Sequence, residues 1–216
     1  MMSKRLYDDG CGIAHAMNLI GERWAVLVVR ELLLGPKRFT DLQTSLPGAG
    51  PNILSQRLRD LEATGVLRRA TLPPPSGARV YELTDWGARL GPILAALSQW
   101  GNACPTTPPS GPIGADSLML GLRSAFQPAA GDSWTATYDI AVGRDRFTGD
   151  VADGELDLRR GAPHRADAAL TTDTDTLAAM LRGQQTLAQA IKNDRVTIRG
   201  DRPAVEKLFA ATGKWA

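Results

Sequence analysis

A proline at the head of an amphipathic stretch, PNILSQRLRDLEA at residues 51–63, restricts the possible folds of this chain more than any other feature. Proline lacks the amide hydrogen that a helix interior needs, so Pro51 fits only a first turn. A helix therefore begins there, and Gly65, just past Ala63 and Thr64, ends it. Ile53, Leu54, Leu58 and Leu61 supply its apolar face. Asn52, Ser55, Gln56 and Arg59 recur at i, i+3, i+4 and i+7 as the opposite, polar stripe. Ahead of it, Thr40 is a good N-cap for a short helix that stops near Pro47 and Gly48. Behind it, strands over 66–72 and 79–83 pair around the turn PPPSG. Helix, turn, helix and hairpin in this order make a winged helix-turn-helix.

Two further helices precede this unit, at 11–19 and 22–34, the second stopped by Gly35 and Pro36. After it, Thr84 and Asp85 cap one long helix with Leu90, Ile93, Leu94, Leu97 and Trp100 on one side. The segment CPTTPPSGPIG, residues 104–114, cannot continue a helix and reads as a linker. The pattern then changes. A helix over 117–126 is followed by an alternating strand in which Trp134, Ala136, Tyr138, Ile140 and Val142 share a face. Strands over 146–151, 155–160, 168–172 and 196–199 are interleaved with helices over 174–182 and 187–193, and a last helix starts at Pro203. The expected architecture has two domains. Residues 1–103 form a mainly α winged helix-turn-helix, and residues 115–216 form an α+β domain with helices over one sheet face.

Charge supports a division of labour. Up to Cys104 there are 12 Lys and Arg against 9 Asp and Glu; beyond it there are 13 against 14. Between Lys37 and Arg79 the balance is 7 basic to 3 acidic, so the excess sits on the helix-turn-helix and hairpin. The start, MMSKRLYDDGCG, lacks the apolar core of an export signal, and no apolar run reaches a membrane span, so a cytoplasmic protein is expected. Two distant cysteines do not make a disulfide framework, and two histidines, His15 and His164, give no metal-ligand spacing. Gly-rich phosphate loops, a GxSxG elbow and paired catalytic carboxylates are all missing from the pattern, which argues against an enzyme and predicts no cofactor.

The polar stripe suits the edges of base pairs in a DNA major groove. Asn52 and Gln56 match adenine N6 and N7, and Arg59 matches guanine O6 and N7. Lys37, Arg38, Thr40, Ser55 and Arg57 suit phosphates, which set register without reading sequence. Arg68, Arg69 and Arg79 would lay the hairpin along the backbone or minor groove. The competing reading for Arg57 and Arg59 is an ion pair with Asp60, Glu62 or another acid on the protein itself.

Further residues carry a family likeness. Cys11, the run from Ile20 to Trp24, Arg30-Glu31-Leu32, Arg38-Phe39, Asp41-Leu42, Leu46-Pro47-Gly48, Leu54 to Leu58, Leu61-Glu62, Gly65-Val66, Tyr81 to Thr84, Gly87 and Trp100 resemble the HxlR family of bacterial transcriptional regulators, which are MarR-like winged-helix proteins. The resemblance covers about the first hundred residues. It departs at Gly50, where the family usually places a serine cap, at Gly12, where proline is common, and in the three-proline hairpin tip. It implies a homodimer on a palindromic operator, joined by the terminal helices of the domain.

The second half resembles sterol-carrier-protein domains, through Asp167 to Leu170, Leu177, Met180-Leu181, Gly183, Ala190, Val196 to Asp201 and Lys207-Leu208. That resemblance implies shelter for a small apolar effector, with Trp134, Tyr138, Phe147, Met180, Leu181, Leu187, Leu208 and Phe209 as candidate lining or, on the plainer reading, as ordinary core. Arg159, Arg160 and Arg165 would receive a ligand anion or stand solvated. Cys11, at an expected helix N-terminus with His15 one turn on, is either a thiol switch or a small side chain in the dimer contact. Three readings follow from the second half: a ligand-controlled regulator; a regulator whose second domain only oligomerises or docks a partner, with Cys11 or nothing as the switch; or a lipid-handling or enzymatic domain whose DNA-binding half serves only autoregulation.

Overall fold

The computed structural model describes residues 6–107 and 111–213. Its first elements are α1 (Gly12–Ile20), α2 (Ala25–Leu32), α3 (Phe39–Ser45), α4 (Pro51–Ala63), β1 (Leu67–Thr71), β2 (Arg79–Leu83), α5 (Asp85–Ala88) and α6 (Leu90–Asn102). Pro51 opens α4 at its first turn, Gly50 stands at the N-cap, and Gly65 follows the helix at φ +73°. Leu54, Leu58 and Leu61 pack into one core with Val28, Val29, Leu32, Leu42, Leu46, Val66 and Leu67. β1 and β2 are antiparallel, with Leu67 opposite Leu83 and Thr71 opposite Arg79, so PPPSG lies at the tip.

Local details depart from the pattern. Ile53, expected on the apolar face of α4, is 48% exposed. Each helical residue turns about 100°, so Ile53 lies that far off the stripe centred on Leu54, Leu58 and Leu61. α3 starts at Phe39, which places Thr40 inside the first turn instead of at its cap; the Asp41 carboxylate accepts the Arg38 N–H at 3.2 Å. α2 begins later than expected because Trp24 adopts φ +77°, a conformation that bulky side chains rarely take. Gly48 makes room for that indole, since a Cβ there would lie 2.7 Å from the ring. The long helix expected after Thr84 is two helices. Arg89 donates its N–H back to the Trp86 carbonyl at 3.2 Å, a tightened turn that separates α5 from α6.

The second part holds α7 (Ala115–Ala125), β3 (Ala136–Val142), β4 (Asp145–Ala152), β5 (Glu155–Arg160), β6 (Ala168–Thr172), α8 (Thr174–Leu181), α9 (Leu187–Lys192), β7 (Thr197–Gly200) and α10 (Arg202–Ala210). The strands form one mixed sheet in the order β5-β4-β3-β6-β7, with β3 and β6 parallel and the other pairs antiparallel. Alternation divides its faces. Ala136, Tyr138, Ile140, Val142, Phe147, Val151, Leu156 and Leu158 are buried. The opposite face carries Arg146 paired with Asp139 and Arg159 paired with Asp150. Asp173, Thr186 and Asp201 cap α8, α9 and α10 through their side chains. Arg160 ties β5 to the start of α7 through Asp116 and also meets Asp145 at 2.7 Å. Arg160, read as a possible ligand cation, is thus committed to the protein's own carboxylates.

Close packing groups the chain into two units, Met1–Leu94 and Ala95–Ala216, and the division falls within α6. The centre of the expected linker, residues 108–110, lies outside the described residues.

Candidate nucleic-acid interface

α4 turns its polar stripe outward: Asn52, Gln56 and Arg59 are exposed and Ser55 is half-buried. Arg59 donates from Nη2 to Gln56 Oε1 at 2.7 Å, and Gln56 donates from Nε2 to Asp60 Oδ1 at 2.8 Å. Asp60 Oδ2 lies 3.3 Å from Arg57 Nη2, and Arg57 Nη1 lies 3.3 Å from Glu22 Oε2. Arg57 is not a free phosphate anchor. Its side chain is only 15% exposed and its charge is matched on both sides.

Lys37 departs further from expectation. Its backbone pairs with Tyr81, donating at 3.0 Å and accepting at 2.8 Å, which turns the side chain into the core. There its ammonium lies 2.5 Å from Glu31 and 3.2 Å from the Ser45 hydroxyl. Burial pushes the Glu31 carboxyl up, but the charges of Lys37 and Arg30 and their hydrogen bonds outweigh it and hold the group below its ordinary value. A lysine so enclosed cannot reach a phosphate, and Lys37 leaves the candidate set.

The remaining candidate contacts outside α4 stay at the surface. Arg38, Thr40, Arg68, Arg69 and Arg79 are exposed. Arg38 donates to the Ser76 hydroxyl at 3.2 Å, which joins the start of α3 to the hairpin tip. Arg68 pairs with Glu82 at 2.7 Å; Arg69 pairs with Glu62 at 3.1 Å and lies over the Tyr81 ring. Exposed pairs of this kind are worth about 0 to 1 kcal/mol and exchange readily for phosphate.

A second surface is apolar. In the first unit Ile13 and Met17 on α1, Trp86 on α5 and Ile93 on α6 are exposed; beyond the division, Leu97 and Trp100 along the rest of α6 are exposed too, Trp100 at 78%. A cavity of about 300 Å³ opens among Leu19, Ile20, Val66, Trp86, Leu90 and Ile93. Sequence periodicity detected this stripe on α6 and could not say whether it faced inward.

Of the eight expected ligand-lining residues, Tyr138, Phe147, Met180, Leu181 and Leu208 are buried, and Trp134, Leu187 and Phe209 are half-buried. Tyr138 donates its hydroxyl to the Ala204 carbonyl at 2.9 Å and accepts from Trp134 Nε1 at 3.0 Å. Trp134 meets Phe126 edge to face and carries Lys207 over its ring at 4.5 Å. His164, Arg159 and Arg165 are exposed.

Both thiols are free and exposed. Cys11 is the N-cap of α1, its Sγ accepting from the Ala14 N–H at 3.3 Å. Backbone N–H groups of Thr106 and Thr107, with the Thr106 hydroxyl, draw the Cys104 thiol below its ordinary pKa. That environment comes from a turn the cysteine's spacing does not announce. Among the described residues no cluster of His, Cys, Asp and Glu has a metal-binding arrangement, and no helix is long and apolar enough to cross a membrane.

Residues 19–107 match the family model for HxlR-like helix-turn-helix proteins, and residues 120–214 match the model for the alkyl sulfatase C-terminal domain. The uncharacterized HTH-type transcriptional regulator YvaP of Bacillus subtilis (strain 168) is 39% identical over 85 residues, 39% of this chain and 79% of that protein. Among solved structures, the reduced form of the transcriptional regulator YodB from B. subtilis aligns with TM-score 0.40 and 29% identity, covering 45% of this chain and 97% of that one. The double mutant S233Y F250G of the sec-alkyl sulfatase PisA1 aligns with TM-score 0.44 and 18% identity, covering 48% of this chain and 17% of that one.

Proposed function

The chain belongs to the HxlR-like helix-turn-helix transcriptional regulators, and from that premise we propose a homodimeric DNA-binding regulator, not an enzyme, whose α4 enters the major groove. The division of α4 carries this reading: Leu54, Leu58 and Leu61 are buried while Asn52, Gln56 and Arg59 stand exposed. Such a helix presents donors and acceptors to base edges while its other face is held by the protein. Arg38, Thr40 and Ser55 anchor phosphates, and Arg68 and Arg79 hold the hairpin to the backbone. A second copy covers the exposed apolar residues of α1 and α6, which supports two recognition helices about 34 Å apart on an operator of two-fold symmetry.

Residues 115–216 act as the sensor, holding a small apolar molecule between sheet and helices. The match to a domain named for enzymes acting on alkyl sulfates supports this. The molecule controls DNA affinity only through its different affinities for the DNA-competent and DNA-incompetent dimers. The exposed N-cap thiol of Cys11 favours a second reading, in which thiol chemistry is the switch and residues 115–216 only oligomerise or dock a partner.

Selection of random duplexes by the full-length protein, followed by footprinting, tests the first claim. A symmetric site is expected, with Asn52→Ala and Arg59→Ala lowering its affinity. Variants that stay folded and bind the same site equally well would remove α4 as the reading helix. For the sensor, solvent extracts of denatured protein are analysed for bound molecules. Operator binding by stripped protein that is unchanged when the extract is returned would refute ligand control.

A further inference from the structure

A connected line of side chains runs from Glu22, ahead of α2, through the mostly enclosed Arg57 to Asp60, Gln56 and Arg59 on the outer face of α4. At its inner end Arg57 is mostly enclosed and held between two carboxylates, with Nη2 3.3 Å from Asp60 and Nη1 3.3 Å from Glu22. That fixes Asp60 on the helix surface with its charge matched. Asp60 uses its second oxygen, Oδ1, to accept from the Gln56 amide at 2.8 Å. The amide's nitrogen end is thereby directed at Asp60, which leaves its oxygen to accept from Arg59 Nη2 at 2.7 Å.

Each end of the Gln56 amide therefore has one partner within the protein, and one N–H and one lone pair remain. The two contacts hold its rotamer along the helix toward Asp60 and Arg59, so turning it to face adenine N6 and N7 would loosen them. Arg59 has more donors to spare. A guanidinium has five N–H groups; one is engaged by Gln56, and the rest remain available on an exposed side chain. Holding a long, rotamer-rich side chain in place before DNA arrives lowers the ordering cost of binding. An acid on a DNA-facing helix repels phosphates unless it has another task, and here Asp60 orients a glutamine.

We infer that Arg59 is the base-reading group of α4, selecting guanine through O6 and N7, and that Gln56 and Asp60 are positioning residues that aim it. The inference rests on α4 being the DNA-contacting helix, and it assigns Gln56 a role different from adenine reading.

Random-duplex selection with the full-length protein, wild type and variants, gives base preferences position by position, and titration at several salt concentrations gives the salt slope. Arg59→Ala is expected to erase a guanine preference of about tenfold or more at one position in each half-site. Gln56→Ala and Asp60→Ala reduce preference at that same position and leave other positions alone, and Gln56→Ala leaves the salt slope unchanged because no phosphate contact is lost. Asp60→Asn keeps an acceptor for the Gln56 amide and restores most of the guanine preference, which a merely structural role for the carboxylate does not predict. If Gln56→Ala instead removes an adenine preference elsewhere while guanine stays, Gln56 reads a base and the inference is overturned. It is equally overturned if Asp60→Ala weakens every position alike. A wild-type protein that selects no sequence removes the DNA-reading premise itself, an outcome distinct from both.

Discussion

The Lys37 ammonium lies 2.5 Å from the Glu31 carboxylate, with the two side chains only 2% and 3% exposed. Arg30 also meets Glu31 at 2.7 Å, so this buried carboxylate serves two cations, and removing it costs about 3 to 5 kcal/mol. Glu31→Gln should lower stability by about that amount and Lys37→Met by less, since Arg30 still meets Glu31, while the combined Glu31→Gln, Lys37→Met change should cost less than the sum of the two. Urea unfolding of the single and combined variants checks this. Additive losses in the combined variant would mean the pair is not a coupled unit.

The same pair gives a direction with pH. Glu31 sits below its ordinary value in the folded chain, so its contribution is fully present above about 4.5 and is lost as pH falls through the lower folded value. Glu31→Gln should therefore flatten the acid limb of stability against pH. A limb as steep as that of the wild type would show that other carboxylates govern it.

Cys104 is exposed, and the peptide N–H groups of Thr106 and Thr107, helped by the Thr106 hydroxyl, favour its thiolate. In a Cys11→Ser background, alkylation of Cys104 should reach half its plateau rate at lower pH than in the guanidinium-unfolded chain. Coincident profiles in folded and unfolded protein would remove the effect.

Much of this was legible in the residues because local rules and packing agreed. Pro51, Gly65 and the PPPSG turn punctuate the chain where backbone sterics demand, and the alternation of Ala136, Tyr138, Ile140 and Val142 marks a one-sided sheet face. A lysine beside an arginine at a helix start has the local pattern of a solvated side chain. Only the bridge from Lys37 to Tyr81, distant in sequence, turns it inward. Ile53 is apolar and adjoins the stripe without lying on it, so residue type alone places it on the wrong face. The left-handed Trp24 depends on a tertiary contact with Gly48 that no local pattern contains, whereas the break at Arg89 is local, a tightened turn just ahead of Gly91 and Pro92, whose missing N–H cannot continue the helix. At the site, residue types were legible, but the Gln56 and Asp60 hydrogen bonds that divide reader from positioner are rotamer choices.

Two glycines separate packing from capping. A Cβ on Gly87 would lie 1.9 Å from the Val66 carbonyl oxygen, and backbone cannot move aside cheaply. Gly87→Ala should destabilise the winged-helix unit by about 2 kcal/mol or more. Gly50 has nothing within 4 Å and occupies the N-cap of α4, so Gly50→Ser should stabilise by a few tenths of a kcal/mol. Thermal melts of both decide the matter, and a tolerated Gly87→Ala would mean α5 is free to shift.

Leu97 and Trp100 lie one turn apart on α6, and both are exposed, as are Ile93 on the same helix and Ile13 and Met17 on α1. Single exposed apolar residues are ordinary, but a row of large ones along a helix marks a partner surface. If a second copy covers it, a charge placed there must be buried without a partner. Leu97→Asp should therefore halve the mass seen by sedimentation at micromolar concentration. It should leave the fold intact, because Leu97 contributes little to the monomer's own interior. Operator affinity should fall by about 10²-fold or more, since each half-site then binds without the effective concentration that its neighbour provides. An unchanged mass with unchanged operator affinity would place the dimer contact elsewhere, or remove it.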